Sequence, residues 1–366
     1  MQTTAVREEG ALRTVLRRHL LLLVIVLGYA ALIWSIPTPY TAEVTTAALS
    51  AVVKNFAKIL PQIAVVVLIW RLFYATYVIK PANRMVWMRD EILGLLRDRE
   101  RLMSGLLAAV VTSVGFATFG HAKSYIPIYN AFSWDPALMQ LDKMLHFGFH
   151  PYEILYAIFP SSGFLGFLAY NYSFWLSLMF GVIYVTCFVR SDSPARMQFL
   201  IAFGLTWIVA GNLMALGFSS AGPVYYERLG LGPTFAPLEQ LMHERTGRAL
   251  RAVFELQGKL WDMYTMPQGF SVISAFPSMH LATSTLMTLV AFRFHRWAGV
   301  MMVIFTVCIM LGSVMMAWHY AVDGYAGILL ATLCWKASGW LVRSPIGPFW
   351  DPTSRQATSQ SSSSRA

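Results

Sequence analysis

The chain has 366 residues, of which 57% are hydrophobic and only 13% are charged. An ordinary soluble domain is about half apolar and about a quarter charged, so this composition argues against one. The net charge of +10 would suit a nucleic-acid partner, but the arginines and lysines cluster at the ends of apolar runs. That distribution is typical of a membrane protein and predicts no nucleic-acid partner.

Long apolar segments recur along the chain, and several approach the roughly 20 residues with which a helix crosses a bilayer. The predicted spans are residues 18–37, 58–79, 102–121, 167–189, 198–218, 279–294, 298–318 and 321–342. The sequence therefore predicts an all-α, polytopic membrane helix bundle with about eight transmembrane helices.

The positions of the basic residues predict the orientation. Arginines precede the first span, crowd residues 80–101 after the second, and follow the fourth, sixth and eighth spans. All these segments share one side if both termini are cytoplasmic. We therefore expect a plasma (inner) membrane protein with cytoplasmic termini. Its first apolar run is longer than a signal-peptide core and no clear cleavage site follows, so we expect an uncleaved helix.

Three regions follow from this topology. Residues 1–101 are expected to hold two spans and a basic cytoplasmic loop, whose mixed charges at helical spacing predict a short interfacial helix. Residues 102–343 hold the other six spans. Residues 344–366 form a serine-rich tail whose composition predicts disorder.

Two long loops are expected on the extracytoplasmic face, from Lys123 to about Gly166 and from Ser219 to Ser278. These loops hold most of the polar residues on that side, together with the ends of the neighbouring spans. The candidate substrate-binding residues are Lys123, Gly222 and Tyr225 in the loops, with Ser278 and Tyr320 beside two histidines.

His280 opens an apolar run directly after Pro277 and Ser278. Ser278 is a suitable N-cap, which places His280 in the first helical turn, near backbone N–H groups that favour an anion. A phosphate there would meet both the helix dipole and a proton donor. The alternative is an interfacial histidine that hydrogen-bonds a loop.

Asp323 follows His319 by four residues, which on a helix brings the carboxylate and the ring to one face. A carboxylate that accepts the proton of one ring nitrogen fixes the tautomer and leaves the other nitrogen free for attack. The alternative is a pair that ties two helices together. Because the predicted topology puts His280 and His319 on one face, the chain holds the residues for phosphoryl transfer through a phosphohistidine.

A third interpretation makes His280, His319 and Asp323 ligands of a zinc ion. No HExxH-like helix or further carboxylate cluster accompanies them, so metal stays a minor hypothesis and no cofactor is predicted. The three cysteines lie in or beside predicted spans, where small buried side chains are expected rather than disulfides or thiolate metal sites.

At these residues the chain resembles a known family. Phe276-Pro277-Ser278-Met279-His280 and His319-Tyr320-Ala321-Val322-Asp323 are similar to the second and third signature motifs of the type 2 phosphatidic acid phosphatase superfamily. Trp134-Asp135, Leu141-Asp142 and Ala221-Gly222-Pro223 are more similar to the branch that contains the inositol phosphorylceramide synthases. The resemblance covers about residues 105–340 and implies a six-helix catalytic core, with the first two spans as an addition.

The resemblance also implies roles. His319 would be the nucleophile, Asp323 its orienting partner, and His280 would protonate the leaving oxygen and then help to activate the acceptor. The enzyme would need no metal or other cofactor. It would act on a phosphorylated lipid at the extracytoplasmic face, and either water or an alcohol would accept the phosphoryl group.

Two departures from the phosphatase pattern concern the phosphate-binding cations. The first motif of the phosphatases, a lysine, six intervening residues and then Arg-Pro, does not occur, and Lys123 is the nearest candidate for its lysine. Gly312-Ser313 stands where that branch has Ser-Arg. The departures favour the inositolphosphotransferase-like branch. They leave open which cation holds the phosphate, and the further candidates are Lys143, Arg228, Arg245, Arg248 and Arg251.

The competing interpretation is a non-enzymatic membrane transporter or lipid-binding protein with a His–Asp proton relay. The position of the pair argues against it, because the predicted site lies at a helix end and transporter sites usually lie near the middle of the membrane.

Overall fold

The computed structural model describes residues 2–37, 46, 50, 54, 61–62, 64–69, 71–190, 192–245, 247–266 and 271–349. Within these ranges the chain forms helices and no strand, which confirms the predicted all-α class. The predicted disordered tail lies outside the described residues from position 350 onward.

The longer helices are α1 Gln2–Ser35, α2 Arg84–Arg97, α3 Arg99–Lys123, α4 Asp135–Leu145, α5 Pro151–Ile158, α6 Ser162–Cys187, α7 Pro194–Ile208, α8 Ala236–Glu244, α9 Arg248–Thr265, α10 Met279–Phe294, α11 Arg296–Met315 and α12 Ala321–Arg343. Shorter pieces are the π-helices Ala75–Ile79 and Val209–Met214, the single turns Ile126–Tyr129 and Ala215–Gly217, and the 3₁₀ turn Pro223–Tyr225.

Among the described residues, six helices are long and apolar enough to cross a membrane. They are Leu12–Ser35, Arg99–Tyr129, Ser162–Cys187, Pro194–Gly217, Arg296–Met315 and Ala321–Arg343. These correspond to six of the predicted spans, so the count of eight is not confirmed. The predicted span 58–79 includes residues outside the described part of the chain.

The remaining predicted span, 279–294, coincides with α10, which has only 16 residues. At about 1.5 Å per residue it is shorter than the hydrocarbon core of a bilayer. It packs against α6, α7, α11 and α12, and most of its first half is fully buried. Because other helices surround it, α10 can carry polar residues such as Thr283 and Thr285, whose hydroxyls donate to carbonyls one turn earlier.

The start of α10 lies very close to α12. A Cβ added at Gly327 would lie 2.5 Å from the carbonyl oxygen of Ser278. Only a glycine permits this approach, because any side chain at that position would meet backbone rather than a flexible neighbour. The contact holds the first turn of α10, and with it His280, against the helix that carries Asp323.

The first helix packs into the bundle along α3 and α7. Its Leu22 and Val26 are buried, and Val26 fits against Gly115 on α3 and Gly204 on α7. Near its end, the Tyr29 hydroxyl donates to the side-chain oxygen of Asn212. The α1 helix therefore belongs to the packed body. That α1 is an addition to a separate six-helix catalytic core remains a prediction.

The segments predicted as long loops are largely helical. The first contains α4 and α5, and the second contains α8 and α9. The second is fixed over the bundle, because the Tyr225 hydroxyl donates to the Gln257 carbonyl and the Gln257 amide donates to the Met316 carbonyl. The predicted interfacial helix is α2, which begins at the N-cap Asn83 and has no buried residue.

Candidate active site

His319 lies in the short connection between α11 and α12. Because α12 begins at Ala321, His319 precedes that helix, and the expectation that a shared helical face joins it to Asp323 is wrong. Asp323 is instead the third residue of α12, and its carboxylate reaches back over the first turn. Its Oδ2 lies 3.3 Å from His319 Nδ1 and accepts the Tyr320 backbone N–H at 3.0 Å. The pair therefore meets through helix capping.

The pair is almost entirely removed from solvent, with His319 6% exposed and Asp323 0% exposed. Burial lowers the pKa of His319 to about 3, and the positive charge of Lys123 acts in the same direction. The imidazole is therefore neutral near pH 7. Since an ionised carboxylate only accepts hydrogen bonds, Asp323 favours the tautomer with the proton on Nδ1, which leaves a lone pair on Nε2.

His280 is the second residue of α10, two positions after the N-cap Ser278. Its Nδ1 lies 3.1 Å from the hydroxyl of Tyr172, and its ring stacks on Tyr172 with 4.3 Å between centroids. Trp175 holds the ring from another side at 4.0 Å. The centroids of the His280 and His319 rings are 5.8 Å apart. The structure thus brings together two histidines that are far apart in sequence.

Asp135, at the start of α4, is a buried carboxylate that joins three segments. It accepts hydrogen bonds from the Ser220 hydroxyl, the backbone N–H groups of Ala221 and Gly222, and the Tyr320 hydroxyl, all at 2.8–2.9 Å. Burial raises the pKa of Asp135, and these four donors oppose that effect. Its contact with Tyr320 fixes the residue next to His319.

Gly222 contributes through its backbone alone. It has φ +94, and a Cβ added there would lie 2.6 Å from the carbonyl oxygen of Trp318. A glycine is therefore required for this segment to approach the His319 connection and to point its N–H at Asp135. The neighbouring Val224 N–H donates to the Ala317 carbonyl at 2.9 Å, which adds a second link to the same connection.

Asp142, on α4, supports the other side of the His319–Asp323 pair. It is 3% exposed and accepts the first two N–H groups of α12, from Ala321 at 3.1 Å and Val322 at 3.0 Å. A carboxylate from α4 thus caps the helix that carries Asp323. From the sequence, Asp135 and Asp142 were recognised only through the resemblance to a family branch, with no role predicted for either. The available signal was their position, since each is a lone acid in a largely apolar stretch.

The two histidines open onto a cavity of about 570 Å³. Its wall is mainly aromatic, formed by Trp34, Phe116, Phe119, Tyr172, Trp175, Trp207, Tyr225 and Trp318. Polar side chains of His121, Lys123, Ser274, His280 and His319 also line it. A space of this size, apolar with a few polar groups, is typical of a small-molecule or lipid-headgroup site.

The predicted substrate-binding residues divide into two groups. Lys123 and Tyr225 line the cavity. Ser278, Gly222 and Tyr320 are absent from its lining and instead support it: Ser278 caps α10, and the other two bond Asp135. Their direct contact with a substrate remains a prediction without support from this geometry.

Among the described residues that line the cavity, Lys123 is the one lysine or arginine. It is close enough to act electrostatically on both histidine rings, and its Nζ lies 5.9 Å from the centre of the Phe119 ring. The other candidate cations do not line this cavity. Arg228 lies over Trp261, and Arg245 donates to the Pro160 carbonyl.

No three side chains of histidine, cysteine, aspartate or glutamate are grouped to hold a metal ion within the described ranges. The arrangement offers chemistry of another kind. A neutral imidazole oriented by a carboxylate faces a second imidazole across a cavity that also holds one lysine.

Comparison with known proteins gives one match. A protein-family model described as the PAP2 superfamily (PAP2_3) matches residues 136–337, which is more than half of the chain. The matched region contains both histidines and Asp323, and Lys123 and Asp135 precede it. No curated protein and no solved structure matches the chain.

Proposed function

Since this chain belongs to the PAP2 superfamily, we propose that it is an integral membrane enzyme that transfers a phosphoryl group from a lipid through a phosphohistidine on His319. The observation that carries the proposal is the pairing of His319 with Asp323 at 3.3 Å and with His280 at 5.8 Å between rings, at the wall of one cavity.

In the proposed first step, Nε2 of His319 attacks the phosphorus of the lipid in line with the oxygen that leaves. The N–P bond forms as the P–O bond breaks, and Asp323 stabilises the positive charge that develops on the ring through its contact with Nδ1. For this step His280 must enter as the imidazolium, and it gives one ring proton to the departing oxygen, which leaves as the lipid alcohol.

In the second step, water or an alcohol attacks the phosphorus and His280 takes the proton of the attacking hydroxyl. The P–N bond breaks and returns His319 to its neutral form. Such transfer depends mainly on positioning and on stabilisation of charge at the phosphoryl oxygens. We assign the second role to Lys123, the one lysine or arginine among the described lining residues.

The charges around the site favour a phosphodiester over a phosphomonoester as substrate. A phosphodiester carries one negative charge, which a single lysine can balance. A monoester near pH 7 carries up to two, and the buried carboxylates of Asp323, Asp135 and Asp142 bond the connection that carries His319 and the first residues of α12. An extra unpaired charge in such a place is costly. This argument favours the inositolphosphotransferase-like reaction, in which an alcohol accepts a substituted phosphoryl group.

We further propose that the site faces the extracytoplasmic side of a plasma (inner) membrane. The support is the distribution of arginine at the other ends of the spans. The lipid would enter from the bilayer with its chains between helices and its headgroup beneath α9.

The experiment that tests the proposal is an assay of diacylglycerol release by the purified protein from a panel of phospholipids and phosphatidic acid. We expect His319→Asn to lower the rate by at least about 10³-fold, because the nucleophile is lost. His295→Asn is the matched control, because His295 is exposed at the opposite end of α10.

Full activity of His319→Asn would contradict the phosphohistidine mechanism. Absence of release from every lipid, with wild-type protein that is folded, would favour the transporter or lipid-binding alternative. The products tell hydrolysis from transfer, because transfer to an added alcohol yields a new phosphodiester.

A further inference from the structure

Trp34 and His121 line the cavity but belong to none of the sequence motifs described above. Trp34 lies at the end of α1 and His121 lies in the last turn of α3. Their rings stack with 4.3 Å between centroids and 6° between planes, and both residues line the cavity. The Trp34 indole N–H donates to the Thr118 hydroxyl at 3.3 Å, which fixes the ring.

His121 has a nitrogen without a partner. Its Nε2 lies 2.8 Å from the Tyr125 hydroxyl, but its Nδ1 is buried and has no hydrogen-bond partner among the described residues. The indole nitrogens of Trp207 and Trp318, on the same cavity wall, also lack partners there. Unpaired buried polar atoms are costly in folded proteins, and a polar ligand in the cavity would supply the partner that His121 Nδ1 lacks.

The position of His121 suggests which part of the ligand it meets. His121 and Lys123 are two residues apart at the end of α3, and both line the cavity. His121, Lys123 and His319 line the same cavity, so a phosphoryl group held by Lys123 and attacked by His319 shares that cavity with His121. A headgroup that remains attached to that phosphoryl group comes within reach of the stacked pair.

The α1 helix holds Trp34 firmly in this place. Val26 is buried against glycines of α3 and α7, and Tyr29 bonds Asn212, so the last turns of α1 are fixed at two levels. The stacked pair is therefore preorganised. The family match begins at residue 136, so neither Trp34 nor His121 belongs to the matched region.

We propose that Trp34 and His121 form a headgroup subsite that selects phospholipids with a hydroxyl-bearing headgroup. This inference rests on the proposed function. A neutral imidazole nitrogen can accept from or donate to a hydroxyl, and the flat Trp34–His121 pair gives the carbon skeleton of the headgroup a surface to pack on. His121 supplies the hydrogen bond and Trp34 keeps its ring in place.

The test compares phosphatidylglycerol with phosphatidylmethanol of the same acyl chains, because the two differ in the hydroxyls of the headgroup. Diacylglycerol release is measured for wild type, His121→Phe and Trp34→Ala. His121→Phe keeps an aromatic ring against Trp34 but removes both nitrogens. Matched controls are His295→Phe and Trp340→Ala, since both residues are exposed away from the cavity.

We expect wild type to prefer phosphatidylglycerol and His121→Phe to lose roughly 2- to 10-fold of that preference, the effect of one hydrogen bond. Its rate on phosphatidylmethanol should stay near that of wild type, which also shows that the variant is folded. Trp34→Ala should lose the preference as well, and both controls should keep it.

Four results would overturn the subsite. One is an unchanged preference in His121→Phe, and another is an equal loss on both lipids, which indicates a structural role. The third is a preference for phosphatidylcholine that depends on Trp34, which indicates a site for a quaternary ammonium group. Release from phosphatidic acid alone would overturn the subsite and leave a His319-dependent phosphatase. Absence of release from every lipid would overturn the proposed function itself.

Discussion

Each end of the helix bundle holds a histidine close to a basic side chain. The two ends differ in how many hydrogen-bond partners these side chains have. At the end away from the cavity, Arg196 is fully buried. We call this residue and its hydrogen-bond partners the Arg196 cluster. The Arg196 guanidinium donates to the carbonyls of Cys187 and Ser104 and to Nε2 of His19, at 2.9–3.2 Å. His19 Nδ1 in turn donates to the Val15 carbonyl at 2.8 Å.

At the cavity end, a lysine and a histidine, which we call the cavity cluster, lack some of their hydrogen-bond partners within the described part of the chain. Lys123 has no hydrogen bond or ion pair with any described residue, and His121 Nδ1 has no partner. A cation beside a histidine inside the bundle therefore does not by itself indicate a ligand-binding site. The Arg196 cluster connects the middle of α1 with the starts of α3 and α7 and the end of α6, and each guanidinium nitrogen of Arg196 makes at least one hydrogen bond. The cavity cluster keeps its donors for a ligand.

Among variants of these two clusters, the largest effect on activity is expected from Lys123→Met, which removes the cavity cation and keeps most of the side-chain volume. We expect kcat/KM for diacylglycerol release to fall about 10²- to 10³-fold, the usual cost of losing one group that stabilises a developing oxyanion. Thermal stability in detergent should stay unchanged or rise, because an unpaired charge on the half-buried Lys123 is removed.

Lys259→Met is the control for this change, because Lys259 is exposed on α9. If Lys123→Met lost enough thermal stability to explain its loss of activity, Lys123 would support the fold as Arg196 does, and the two ends would not differ as we propose.

The Arg196 cluster should respond in the opposite way. Arg196→Met removes the buried hydrogen bonds of the guanidinium to the Cys187 and Ser104 carbonyls and to His19 Nε2, so we expect a loss of about 3 kcal/mol in the free energy of unfolding. The rate per folded molecule should be close to wild type. Thermal denaturation followed by circular dichroism, with activity measured below the transition, checks both parts.

Arg190→Met is the matched control, because Arg190 is exposed and pairs with the exposed Asp192. Loss of activity in folded Arg196→Met protein would show that the Arg196 cluster takes part in the reaction.

A smaller effect is expected from Asp135→Asn, which affects a satisfied hydrogen-bond network at the cavity end. An amide has one acceptor oxygen where the carboxylate has two, so at least one of the four donors to Asp135 loses its partner. We expect about 2 kcal/mol of destabilisation. The rate should fall about tenfold, because Asp135 holds Tyr320, and Tyr320 positions its neighbour His319.

Asp192→Asn serves as the control for an acid in an exposed loop. If Asp135→Asn keeps full activity while it loses stability, Asp135 supports the fold without positioning His319.

Much of the helical framework could be predicted from composition and apolar runs. Six predicted spans correspond to observed helices, and the bounds of α10 agree with the prediction. The proximity of His280 and His319 also followed from topology. These features depend on local sequence and on the alternation of sides in a membrane bundle, which a single sequence contains.

The supporting contacts could not be predicted, because they join residues far apart in the chain. Asp135 and Asp142 bond residues about 180 positions later, and Trp34 reaches His121 from α1. The capping geometry of His319 was missed for a different reason. A spacing of four residues fits a helical face and a helix start equally well, and only the position at which α12 begins distinguishes them.

The most direct test of the account is to trap the covalent intermediate. Purified protein is mixed with a phospholipid labelled at phosphorus, quenched in alkali within milliseconds and digested for peptide mapping. The account predicts label on the peptide that contains His319, stable to alkali and lost in acid, as a phosphoramidate should be, and no label in His319→Asn. Label on another residue, or turnover by wild type with no labelled protein at any time, would contradict the central claim.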